Sequence, residues 1–238
     1  MKHLYILLSL FIILSVILFS LYIKKPKIVE VEKIIEIEKI IYVDKKEFEF
    51  INFHVDKLNI NKILKFYQYH SLDDYETILE FYDTYTKNRK ITETIIKNSL
   101  EKNLPVNLMF ALARRESGFN PKAERRNADK SWDRGLFQLN SKSRTKWPKA
   151  DFFNIDKNTH EATGQMQWLL STYKQDELAL AAYNAGYYSI KAKQIPYITF
   201  IHVIEIKQFE REFDIRFSTE ILPNLNIVVL EPGKIELK

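Results

Sequence analysis

The 238-residue chain has no cysteine, which removes disulfide frameworks, thiolate nucleophiles, zinc ribbons and iron–sulfur clusters in one step. That absence assigns no compartment, since cysteine-free proteins work on both sides of a membrane. Glycine and proline are scarce, at 5 and 7 residues, so the chain is neither collagen-like nor a Gly/Pro low-complexity polymer. No glycine-rich loop that could cradle a phosphate is present. The histidines, His3, His54, His70, His160 and His202, show no HExxH or other short metal spacing, and no cofactor is expected. There is also no arginine-rich arm and no basic helix interleaved with aromatics, which argues against nucleic acid as a partner.

What is present suits a folded core. Apolar residues make up 46% of the chain and aromatics 13%, beyond the range of a disordered polymer. The length allows one ordinary domain plus attachments, at roughly 150 residues per domain. Lys and Arg exceed Asp and Glu by 36 to 31, a net charge of +5. This suits an anionic polymer such as nucleic acid, acidic lipid or cell wall, and equally suits a merely lysine-rich composition.

From Leu4 to Ile23 the sequence LYILLSLFIILSVILFSLYI carries no charge. At 1.5 Å per residue such a helix matches the roughly 30 Å hydrocarbon core of a bilayer. The run is longer than the apolar part of a cleavable signal and ends in Tyr22, Ile23, Lys24, Lys25 and Pro26 instead of small residues, so residues 1–23 are expected to be an uncleaved anchor. Residues 24–46 follow as a juxtamembrane spacer or stalk. Within them EKII occurs twice, from Glu32 and from Glu38, and the pattern fits either coiled-coil spacing or an extended strand. Residues 47–90 show helix-like spacing, as in Ile60, Ile63, Leu64 and Tyr67, and read as a helical region leading into the next domain.

A clearer helix spans Ile91 to Leu104, with Ile95, Ile96 and Leu100 on one face, and Pro105 starts another that stops at Ser117 and Gly118. Glu116 is the last strong position of that second helix. Three, four and seven residues back lie Ala113, Leu112 and Met109, so its carboxylate shares the apolar stripe while Arg114 and Arg115 face water. A carboxyl placed there is partly desolvated, the condition under which an acid can hold a proton to donate near neutral pH. A carboxylate that bends outward or pairs with an arginine is the competing reading. The stretch that follows, ESGFNPKAERRNADKSWDRGLFQLNS, concentrates Gly, Asn, Asp and Gln, as a cleft for a hydroxyl-rich sugar would.

These residues resemble the lysozyme-like superfamily, in particular the catalytic domains of soluble lytic transglycosylases (SLT) and the specialised transglycosylases of secretion and conjugation systems. Glu116-Ser117-Gly118-Phe119-Asn120-Pro121 is similar to the family's ESGFNP motif, Gly135-Leu136-Phe137-Gln138 to its GLMQ motif, and Leu180 through Gly186, LAAYNAG, to its AAYNAG signature. Gly164 also falls where the family places a glycine. Three ordered motifs within about 70 residues are specific where one alone would be weak.

The resemblance covers roughly residues 91–207 and leaves residues 208–238 as a tail of unassigned role, with an apolar, strand-like run at Leu225 to Leu230. It implies a mainly α, lysozyme-like catalytic domain behind the N-terminal transmembrane helix. It also implies cleavage of the β-1,4 bond between N-acetylmuramic acid and N-acetylglucosamine in peptidoglycan. Glu116 would be the catalytic acid and base that yields a 1,6-anhydro end, and Ser117, Gln138, Asn140, Tyr183 and Asn184 would bind the sugar. Peptidoglycan glycan strands would be the partner, with an envelope-spanning flagellar or secretion machine as a further one.

Two departures from the pattern bear on mechanism. The insert KAERRNADKSWDR looks like the NTDGSTDYG segment of animal-type lysozymes, and Asp133 falls at the spacing of their second catalytic carboxylate. A hydrolysing muramidase that uses Glu116 and Asp133 is therefore an alternative, with the two carboxyls about 5–5.5 Å apart in a retaining enzyme. Asp133 could equally form a turn or pair with Arg134. In IPYITFIHV the family often reads close to PYETRNYV, so Ile198 stands for Glu and His202 for Tyr. A non-catalytic wall-binding or assembly protein is the third reading. Peptidoglycan lies outside the cytoplasmic membrane, so the domain is expected to face the wall, although Lys24, Lys25 and Lys27 would by charge alone hold it inside.

Overall fold

The computed structural model describes residues 59–225 and the backbone of two further strands, at residues 227–231 and 234–237. The expected membrane anchor and spacer lie outside the described residues. Among the described residues no helix is long and apolar enough to cross a membrane.

The described part is mainly helical. In chain order it runs α1 (Ile60–His70), α2 (Leu72–Thr86), α3 (Arg89–Glu101) and α4 (Val106–Ser117). Three short strands follow, β1 (Glu124–Arg126), β2 (Trp132–Arg134) and β3 (Leu139–Asn140), then α5 (Lys149–Phe152), α6 (Ile155–Tyr173), α7 (Asp176–Ala185), α8 (Tyr187–Lys191) and α9 (Tyr197–Arg216). A π-helical turn at Phe217–Ile221 extends α9, and the strands β4 (Ile227–Glu231) and β5 (Lys234–Leu237) close the chain as an antiparallel pair. The starts of α1, α2, α3 and α6 are set by local chemistry: Asn59, Ser71, Asn88 and Asn154 each accept a hydrogen bond from a backbone N–H of the first turn. Such a cap contributes about 1 kcal/mol.

The core is built around α4. Every residue from Val106 to Ala113 is buried, the signature of a helix surrounded on all sides. Tyr82 of α2 stacks on Phe110 of α4 with ring centres 4.1 Å apart and planes at 13°. Its hydroxyl donates to Asn107 Oδ1 at 2.6 Å, and Asn107 Nδ2 in turn donates to Asp214 Oδ1 of α9 at 2.7 Å. Burial and the nearby Asp214 push the Tyr82 phenol well above its ordinary range, so it remains the donor.

Phe213 and Phe217 are fully buried beside the Tyr82 and Phe110 rings. The boundaries expected at residues 90 and 207 therefore mark no break. Helix α9 passes through 207 without interruption, and both α2 and the end of α9 supply rings to the core that holds α4. The strand expected from the apolar run near the C-terminus is present as β4.

Candidate active site

Glu116 stands in the last turn of α4, which Gly118 ends in the left-handed conformation at φ 59°. A negative side chain there opposes the helix dipole, an effect of about 0.3–1 kcal/mol, so helix stability does not explain its position. Its side chain is only 10% exposed, as the shared apolar face implies. The neighbouring arginines depart from the sequence reading. Instead of facing water, Arg114 Nη1 lies 2.7 Å from Glu212 Oε2 with its guanidinium 4.0 Å over the Phe209 ring, and Arg115 pairs with Glu205, all on α9. These pairs hold α9 along α4.

That alignment brings His202 to the acid. On α9 the buried face runs Thr199, His202, Val203 and Ile206, the i, i+3, i+4, i+7 stripe of a helix against a core. His202 Nε2 sits 3.2 Å from Glu116 Oε1, with the imidazole side chain 5% exposed. The contact lacks the alignment of a hydrogen bond, which leaves Nε2 without a bonded partner. A buried polar atom so placed can fix the carboxyl's orientation once substrate closes the site, since catalytic hydrogen bonds often tighten only then. We expect His202→Phe to lower kcat about 10- to 100-fold, the scale of a small misplacement of a reacting group, with a smaller change in KM. Steady-state kinetics on the cleft's substrate would measure both, and an unchanged kcat would assign His202 to packing alone.

The turn at residues 135–138 ties the three sequence motifs together. Ser117 Oγ donates to Leu136 O at 2.7 Å, and Tyr183 OH donates to Phe137 O at 2.9 Å. From α6, the fully buried Asn158 accepts from Phe137 N at 2.8 Å and donates to Arg134 O at 3.1 Å and Phe152 O at 2.8 Å. Gln138 Nε2 donates to Ala123 O and Gly135 O at 3.1 and 2.9 Å. Gln138 also has a left-handed backbone, φ 47°, an uncommon state for a residue other than glycine. Gln138 lines the cavity beside Glu116.

Ser117 is thus placed differently from the expected sugar ligand: its hydroxyl is spent on the turn, and it does not line the cavity. Tyr183 does line it. Burial pushes the Tyr183 phenol well above its ordinary range, the Glu116 charge adds to the rise and Arg144 opposes it, so the hydroxyl stays a proton donor. Asn184 lines the cavity too, its Oδ1 accepting from Thr199 Oγ1 at 2.8 Å.

The insert before the turn supplies β1 and β2, which pair with β3 just after it in a sheet that forms one wall. Register pairs Arg125 with Asp133 and Asp133 with Asn140, which sets the three side chains in one cross-strand row. Arg125 Nη2 donates to Asp133 Oδ2 at 2.9 Å and Asn140 Nδ2 donates to Asp133 Oδ1 at 2.8 Å. Arg134 pairs instead with Glu124. Asp129 is the turn-former: its Oδ1 accepts from Ser131 N and Oγ.

Glu116, Asp133, Gln138, Asn140, Tyr183 and Asn184 all line one groove of about 670 Å³. Glu116, Gln138 and Asn184 also line an adjoining cavity of about 340 Å³ that contains His202 and Ile198. The acid therefore sits where two halves of a cleft meet. Sequence reading missed Arg144, Glu161, Gln165 and Trp168 in the groove. The last three recur at i, i+4 and i+7 on α6, a half-exposed stripe whose spacing was legible.

The described domain is thus mainly helical, with Glu116 at a helix end where two polar cavities adjoin. Residues 93–196 match the family model described as Transglycosylase SLT domain. No curated protein matches the chain.

Proposed function

We propose that the protein is a peptidoglycan lytic transglycosylase in which Glu116 acts alone as acid and base. The observation that carries this is the position of Glu116, nearly buried at the junction of the two cavities. A glycan chain laid through both would present one glycosidic oxygen to that carboxyl. Glu116 protonates the oxygen as the C1–O bond breaks, and the N-acetylglucosamine side leaves as an alcohol. The carboxylate then takes the proton of the muramyl 6-hydroxyl while its oxygen bonds to C1. The acid is regenerated, and no water is consumed. Gln138, Asn140, Tyr183 and Asn184 would hold the sugar's hydroxyl and acetamido groups.

A second reading, hydrolysis with Asp133 as the other carboxylate, is favoured by the presence of both acids in one groove. Against it, each Asp133 oxygen already accepts a hydrogen bond, one of them from a guanidinium. Digestion of purified peptidoglycan followed by mass spectrometry separates the readings. Products lighter by one water, with 1,6-anhydro ends, support the transglycosylase, whereas reducing ends transfer the role to Asp133 and water. Folded protein that binds glycan but releases nothing would favour the wall-binding reading.

We also propose that the apolar run from Leu4 to Ile23 anchors the domain on the wall side of the cytoplasmic membrane. External protease added to intact spheroplasts is expected to degrade residues 59–225. Protection from it would place the domain away from its substrate.

A further inference from the structure

The first half of α9 is apolar on two opposite faces. Thr199, His202, Val203 and Ile206 face the core, while Tyr197, Phe200, Ile201 and Ile204 recur at i, i+3, i+4 and i+7 on the other side. Tyr197 is 67%, Phe200 49% and Ile204 52% exposed, and Ile201 is half-buried. A helix apolar all round is ordinarily enclosed, and an open apolar face of this kind marks a site of protein or membrane contact. Gln208 and Arg211 continue the stripe, which holds no acid. Just before it, Lys191 and Lys193 are exposed.

Charge and reach select what covers the stripe. A second copy laid along it would bring Lys191 and Lys193 toward cations of its partner in either direction, with no acid in the stripe to offset them. An anionic bilayer meets the same groups favourably. Isoleucine and phenylalanine enter the acyl boundary, tyrosine sits at headgroup level, and lysine stems lie along the surface with their ammonium groups in water. Such a surface is within reach of the domain. Between Ile23, where the apolar run ends, and Asn59 lie residues 24–58, 35 in all, a length of chain that allows any separation from direct contact up to roughly 120 Å.

We propose that the outward stripe of α9, with Lys191 and Lys193, docks on an anionic bilayer surface. This rests on the reading of Leu4 to Ile23 as a membrane anchor. Ile198, 63% exposed, flanks the stripe and lines the narrower cavity beside Glu116. Docking therefore holds that mouth of the cleft at the membrane face and directs the acid to substrate lying close to it.

The chain has no cysteine, so a single one can carry a probe. The test reconstitutes the full chain into vesicles of phosphatidylcholine and phosphatidylglycerol, with a polarity-sensitive dye on Ile204→Cys or, as a reference, on Lys97→Cys of α3. Both side chains are exposed, so neither substitution threatens the fold. An interfacial helix lies about 5–10 Å into the headgroup boundary, so nitroxide-labelled lipid is expected to quench the dye at position 204, with a blue shift, and to spare the dye at position 97. Lys191→Glu combined with Lys193→Glu should abolish the quenching. Quenching that survives this charge reversal would overturn the proposal, as would a blue shift at 204 that follows protein density instead of lipid charge, which would assign the stripe to a second copy. Chain that floats with the vesicles yet is not quenched at 204 would overturn the docking and leave the anchor in place. Chain that fails to float with them would overturn both.

Discussion

Glu116→Gln is expected to reduce release of soluble fragments from peptidoglycan by about 10²–10⁴-fold, the range contributed by a positioned general acid, while the melting temperature holds or rises slightly. Gln keeps the shape of Glu and its contact with His202, so the cleft stays formed, but an amide can neither deliver the first proton nor take the second. The sign of the stability change follows from the site. Glu116 is a nearly buried carboxyl at the negative end of α4, and replacing it by a neutral group removes an unfavourable dipole interaction. A side chain kept at the expense of stability marks function more strongly than one that stabilises the fold. Fragment release by mass spectrometry alongside circular dichroism melting reads both halves. Activity within a few-fold of wild type would remove Glu116 from the mechanism, and a collapsed melting temperature would make it structural.

The local parts of this site were legible because they are set by local chemistry. Helix α4 follows from its apolar run, its Gly118 stop and the spacing that puts Glu116 with Met109, Leu112 and Ala113. The three motifs are short and ordered. Their physical reason was not legible, since Ser117 and Tyr183 reach carbonyls 19 and 46 residues away. Nor does anything in the polar pattern of α6 single out Asn158 as the side chain that bonds the turn. The core contributions of Tyr82, Phe213 and Phe217 were hidden for the same reason. An aromatic at helical spacing reports a buried face but not which distant segment it meets, so the ends of the family resemblance are not the ends of the folding unit. Asp133 shows the opposite case. Spacing placed it in the cleft, and only strand register showed that Arg125 and Asn140 already hold it.

Gly135→Ala is expected to destabilise the protein by more than about 3 kcal/mol, combining backbone strain and overpacking of about 1–3 kcal/mol each. That lowers the melting temperature by roughly 10 °C for a domain of this size. Gly135 has φ 78°, and a Cβ there would stand 1.9 Å from Phe152 O and 2.5 Å from Asn158 Nδ2. The nearest obstacle is backbone, and the next is the buried side chain that bonds Arg134, Phe137 and Phe152. Neither can turn away, so the turn itself must shift. Because Leu136 O and Phe137 O anchor Ser117 and Tyr183, activity should fall even at temperatures where the variant remains folded. Gly164→Ala supplies the contrast. It lies inside α6, where a Cβ would meet only Lys102 Cε at 3.9 Å, so the change should stabilise by about 0.5–1 kcal/mol through helix propensity. If thermal melting gave both variants the same sign, the turn would not be the rigid junction on which the acid, the glutamine and the tyrosine converge.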